Sequence, residues 1–162
     1  MRIISRTWLA ALSLLVSGAA WAGVSVSYVE PEKFSDLPRQ TEERARMLKD
    51  LSEHFHKLGK KLPLEQTLKI EVTDIDMAGR EEPSRRMAND LRVLRGGADW
   101  PHMRLRYSLE SNGKVLRSGS DNLSDMSYLN RLNSYSTGDS LRYEKRMIDD
   151  WFAQQFGKGK GG

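Results

Sequence analysis

The chain has no cysteine, which excludes disulfide staples, thiolate nucleophiles, Cys-ligated zinc and lipid attachment through a cysteine. Proline is sparse, with 5 residues, and aromatics make up only 8%. There is no Gly-X-Y period, heptad array or internal repeat, and the 38% hydrophobic fraction is low but enough for a packed core. Also missing are a G-x-S-x-G nucleophile elbow, a glycine loop able to cradle phosphate, a dinucleotide fingerprint and an H-E-x-x-H zinc motif. A length of 162 residues holds one domain and a targeting segment, not two ordinary enzyme domains. Long apolar runs are lacking as well, with one exception.

That exception lies at the start. Arg2 and Arg6 flank a short basic opening, Trp8 to Val16 is apolar, and Ala20-Trp21-Ala22 is an A-x-A cleavage pattern. The run is shorter than the roughly 20 apolar residues a membrane anchor needs. Residues 1–22 therefore read as a cleavable signal peptide, cut after Ala22, and the chain as exported. The mature chain, residues 23–162, would not span the membrane. Loss of Arg2 and Arg6 leaves 24 basic against 22 acidic residues, so the sequence pI near 9.4 overstates the working charge. With export and so small an excess, nucleic acid is not an expected partner. Only residues 80–117, with 9 basic and 5 acidic side chains, form a positive stretch that would attract anions.

Val24, Val26 and Tyr28 alternate with serines, the period of a strand with one buried face. Thr41 followed by Glu42 and Glu43 reads as a helix start, with the Thr41 hydroxyl as cap. Ala45, Leu48, Leu51, Phe55 and Leu58 then form a helical stripe that ends at Gly59. Leu68, Ile70 and Val72 alternate again and lead into Asp74 and Asp76. Residues 80–90 read as a polar loop, Leu91 and Val93 as a short strand. Met103, Leu105, Tyr107 and Leu109 form a strand closed by an Asn112-Gly113 hairpin turn. Counting back from that turn pairs Leu109 with Leu116 and puts Arg104, Arg106 and Arg117 on one face. Residues 120–140 read as a long polar loop, and Leu141, Ile148, Trp151, Phe152 and Phe156 as the stripe of a second helix. The expected fold is α+β: a mostly antiparallel sheet of four to five strands with two amphipathic helices on one face. Residues 23–156 form the single domain, and 157–162 a disordered Gly/Lys tail.

Five segments resemble one family. They are Val24 to Phe34 with Asp36, Ile75 to Gly79, Gly96 to Pro101, Asn122 to Met126, and Tyr143-Glu-Lys with Trp151-Phe152. Together they resemble domain of unknown function 3016, small exported proteins of Gram-negative bacteria. The resemblance implies export to the periplasm, the expected location, and brings no catalytic role.

Two sets of side chains are candidates for chemistry. Asp74 and Asp76, if the strand runs through them, share a face about 6.5–7 Å apart, a spacing for acid–base work or a hard cation. With Asp99 and His102 they would build a small cation-dependent hydrolase. Against this, Asp residues at strand ends and before Trp100 commonly cap turns. His54 and His56 lie about 200° apart on a helix and cannot share an ion. No cofactor emerges, and no metal ligands beyond the Asp74/Asp76 pair. Arg104, Arg106 and Arg117 are the candidate ligand surface, because guanidinium groups grip phosphate and carboxylate in two-pronged fashion. The bland reading is a solvated face neutralised by Glu71 and Glu110. No nucleophile–base arrangement can be read, so the leading expectation is a non-catalytic binding or adaptor module for an anionic envelope component or an envelope protein. Loop 120–140 is the candidate contact of a structural protein with a partner chain, with Tyr128 and Tyr135 its available aromatics.

Overall fold

The computed structural model describes residues 23–82 and 91–157. The expected signal peptide, the tail beyond Gly157 and residues 83–90 of the expected polar loop lie outside them. Strand β1 (Gly23–Tyr28) is followed by a single 3-10 turn (Pro31–Lys33), helix α1 (Thr41–Gly59) and β2 (Gln66–Asp76). Short strands β3 (Arg80–Glu82) and β4 (Leu91–Val93) come next, then β5 (His102–Ser111), β6 (Lys114–Ser124) and helix α2 (Arg142–Phe156). The main sheet has the order β1-β2-β5-β6, and β3-β4 form a separate two-stranded sheet. Among the described strands only β1 and β2 run parallel, as the intervening helix requires; the other pairs are antiparallel. This is an α+β fold.

Both helices cover the same face. Leu51, Phe55 and Leu58 of α1 and Met147, Ile148, Trp151 and Phe152 of α2 meet Leu68, Ile70 and Val72 of β2 and Met103, Leu105 and Tyr107 of β5 in one core. Ala45, expected on the α1 stripe, is exposed. Thr41 does not cap its helix: the N-cap is Gln40, with no side-chain bond, and Thr41 is already the first helical residue. The segment expected as a polar loop from 80 opens as a strand, because Arg80, Glu81 and Glu82 pair with Val93, Arg92 and Leu91. Polar side chains hid a ladder held by backbone groups rather than by burial. Residues 120–124, expected in the long loop, continue β6.

Two irregularities set which side chains face outward. Thr73 is an extra residue in β2, so the parity changes after Val72 and Ile75 still points to the core. The second lies beside the hairpin. Asn112 and Gly113 take the positive φ angles of 50° and 77° that a two-residue turn demands. Between Leu109 and Glu110, however, the register slips, and Leu109 pairs with Arg117. The expected Leu109–Leu116 pairing is thereby overturned. Leu116 is left 52% exposed, and Arg117 turns to the helix side, where Nη1 donates to Gln155 O at 2.7 Å.

Candidate functional site

Arg104 and Arg106 stand on the face away from the helices, but Arg117 does not join them. Each is matched across the strands: Arg104 Nη2 lies 2.9 Å from Asp74 Oδ2, and Arg106 Nη2 2.8 Å from Glu71 Oε1. Lys69 meets Glu110 at 2.9 Å on the same face. The alternation of signs on neighbouring strands produces cross-strand pairs, and the arginines are spent on carboxylates of their own sheet.

A concavity that gathers other candidate residues lies elsewhere. Parallel β1 and β2 end side by side, and the chain leaving β1 crosses the sheet's end before entering α1. Glu30 takes a left-handed conformation, φ 52°, to start that crossing. Asp36 N–H then donates to Ile75 O at 3.0 Å, so the segment runs beside the last residues of β2 as a short parallel extension. From the other side, Gly79 N–H donates to Asp99 O at 2.8 Å and draws residues 98–100 against β2. Gly79, with φ 81°, sits so close to Val93 that a Cβ would meet its carbonyl oxygen at 2.6 Å. Between these walls lies a cleft of about 500 Å³, bounded by Phe34, Asp36, Asp76, Asp99 and Trp100 and by arginines from three segments. A crevice at the carboxyl ends of parallel strands is the usual ligand position in open sheets.

The carboxylates of this region differ in what they do. Asp74 accepts from Ser35 N–H and Ser35 Oγ, both at 2.8 Å, and from Arg104. Burial pushes its carboxyl up, yet these donors outweigh burial and hold it below the usual range. Asp99 caps a turn: Oδ2 accepts from Arg95 N–H and Oδ1 from Tyr128 Oη, both at 2.8 Å, and the Arg95 N–H is the chief cause of its lowered pKa. Burial, with Asp99 next, pushes the Tyr128 phenol up to about 12, so it remains a donor at neutral pH. Asp36 is held by Arg92 Nη1 at 2.6 Å. Asp76 has no such partner among the described residues. His102 Nδ1 is 3.9 Å away, beyond hydrogen-bond reach, and burial followed by the repulsion of Asp36 raises the Asp76 pKa. The structure thus brings Asp76, Asp99 and His102 to one region, with Trp100 5.6 Å from the His102 ring, and turns Asp74 toward Ser35 and the outer face.

Arg39, Arg44 and Arg80 line the same cleft and form no ion pair among the described residues; Arg44 reaches only the Pro38 carbonyl, at 3.4 Å. The sequence reading did not single out Arg39, Arg44 or Asp36 as site residues. The signal available was topological. A strand–helix–strand crossover must bring the residues after β1 beside those after β2.

Behind the floor of the cleft, Glu144 is 1% exposed. Its Oε1 accepts Ala78 N–H at 2.8 Å, while Oε2 has no partner among the described residues. Burial raises its pKa, with Ala78 N–H and Arg92 pulling the other way. Tyr128, expected to be available, is buried edge-on against Tyr143 at 4.9 Å. Tyr135 donates to Asp149 Oδ2 at 2.6 Å, and Asp149 Oδ1 lies 2.9 Å from His54 Nε2. No group of three or more His, Asp or Glu able to hold a metal ion occurs among the described residues. No helix among them is long and apolar enough to cross a membrane.

These features define a two-layer α+β protein with a polar, ligand-sized cleft at one end of its sheet. The chain belongs to the DUF3016 family, proteins of unknown function, whose sequence profile matches residues 22–154. No curated protein and no solved structure matches it.

Proposed function

We propose that this chain is an exported, non-catalytic binding module of the cell envelope, and that its ligand occupies the cleft beside Asp76 rather than the outer sheet face. One contrast carries the reading. The outer-face arginines are each neutralised by a carboxylate, whereas the cleft gathers Arg39, Arg44 and Arg80, without ion pairs among the described residues, opposite an Asp76 without a hydrogen-bond donor among them. Charges of both signs, with Trp100 in the lining, suit a ligand that carries an anionic and a cationic group. A peptide-bearing amino-sugar fragment of the cell wall has that chemistry; a bare polyanion does not. The signal-peptide pattern of residues 1–22 supplies the compartment.

The hydrolase reading draws on the nearness of Asp76 and His102, but Ser35 Oγ donates to Asp74 rather than to an imidazole, and the described residues hold no cluster of three or more carboxylates or histidines for a cation. The test is the melting temperature of protein expressed from the full chain, taken with peptidoglycan fragments, inorganic phosphate, lipopolysaccharide, EDTA and divalent cations. A ligand at 100 times its Kd adds about 2.7 kcal/mol, several degrees in a domain of this size. A shift with the zwitterionic fragments that Arg80→Ala or Asp76→Asn abolishes supports the cleft. A shift with phosphate that only Arg104→Ala abolishes overturns it in favour of the sheet face. A shift with a divalent cation revives the hydrolase.

A further inference from the structure

Strand β6 is the last strand of the main sheet, and no other strand among the described residues pairs with its far side. It runs 11 residues, and Lys114 to Ser120 are all exposed. Edges of this length are normally blunted by proline, lysine, a bulge or a covering loop. Residues 118–124 have no proline and no basic residue, and their pairing with β5 is regular.

The edge is complementary to itself. A two-fold axis through Gly119 sets residue 117 opposite 121 and 118 opposite 120, so Arg117 of each copy meets Asp121 of the other, twice. Both side chains are already held on the helix side of the strand. Arg117 donates to Gln155 O, and Asp121 Oδ2 accepts from Trp151 Nε1 at 2.7 Å and Gln155 Nε2 at 3.1 Å. Gly119, on the axis, lies against Tyr107 of its own chain, whose phenol a Cβ there would meet at 3.0 Å. Beyond the paired stretch, the register slip exposes Val115 and Leu116. The slip therefore ends the regular edge at Arg117. Strand addition draws affinity from backbone bonds and specificity from side-chain matches, here the doubled Arg117–Asp121 pair.

We infer that β6 is a self-association edge: two copies pair antiparallel through residues 117–121, giving one eight-stranded sheet with all four helices on the same face. The closure is isologous, so assembly stops at two. Each cleft lies toward the far end of the sheet order, by β1 and β2, and stays open.

Sedimentation velocity of protein expressed from the full chain tests this across concentrations. The expected result is a monomer–dimer equilibrium that Arg117→Glu, which sets like charges together twice, weakens roughly tenfold or more. Because the chain has no cysteine, Ser118→Cys and Ser120→Cys chains can be mixed without background. The mixture should form a disulfide-linked dimer faster than either variant alone. A protein that stays monomeric up to millimolar concentration overturns the inference. So does a dimer that ignores Arg117→Glu and shows no 118–120 preference in crosslinking.

Discussion

Asp76 stands between Asp36 and Asp74, half-buried, with an imidazole too far away to bond to it. Burial first, then Asp36, raises its pKa, so the cost of keeping it ionised is felt in full above that raised value and is gone below the ordinary carboxylate range. Asp76→Asn should therefore stabilise the protein at neutral pH by about 0.5 kcal/mol, the scale of a solvent-screened charge interaction, with the gain fading on acidification. Thermal melts at neutral and acid pH check it. Glu144 follows the same sign from a deeper position. Its folded pKa is raised chiefly by burial, and Ala78 N–H needs an acceptor there. Glu144→Gln keeps the acceptor and sheds the charge, so it should match or exceed wild-type stability at neutral pH. Glu144→Ala strands the N–H and opens a void, costing about 2–3 kcal/mol. Urea unfolding of the two variants separates the roles. Neither Asp36 nor Glu144 was legible as a site residue, because their neighbours lie 40 and 66 positions away, at Asp76 and Ala78. By contrast Asp99, beside Gly97 and Trp100, reads directly as a turn residue, and its bonds to Arg95 N–H and Tyr128 are of that kind.

Among elements, α1 was legible at its end and nearly so at its start. Its closing glycine is where the helix stops, while Thr41, read as the cap, is already the first helical residue. The hairpin turn was equally legible, but the facing of β6 was not. One extra residue beside the turn reverses every later side chain, and neither period nor turn chemistry records a bulge. The connection from β6 to α2 has structure of its own. Tyr135 donates to Asp149, and Asp149 lies against His54, so one phenol ties the connection to both helices. Burial, then Asp149, pushes the Tyr135 phenol up, so it stays a donor. Burial pushes the Asp149 carboxyl up, but His54 and Tyr135 outweigh it and hold it low. A lowered folded pKa gives stability that is full above the ordinary carboxylate range and is lost as pH falls through the folded value. Tyr135→Phe should cost about 1 kcal/mol at neutral pH and progressively less in acid, as Asp149 protonates. Urea midpoints at two pH values are the check; an equal loss at both would separate the bond from the titration.

At the scale of the molecule, hydrophobic periodicity was enough for two helices on one face of a sheet, because that is how two apolar stripes and a one-sided sheet are buried together. It could not place the cleft. That position comes from the single parallel pair, β1 with β2, which brings residues 30–39 against the end of β2 while residues 98–100 close the other wall. Four of the five segments that carry the family resemblance reach this end of the molecule: the stretch to Asp36, Ile75 to Gly79 and Gly96 to Pro101 at its walls, and Glu144 beneath its floor. The measurement that meets the central claim most directly is an amide NMR titration with a peptidoglycan fragment bearing both amine and carboxylate. Saturable shifts at Ser35, Asp36, Gly79, Arg80 and the Trp100 indole, with Lys69 and Arg106 unmoved, are the result expected. Shifts centred on Lys69, Arg104 and Arg106, with the cleft silent, would contradict it.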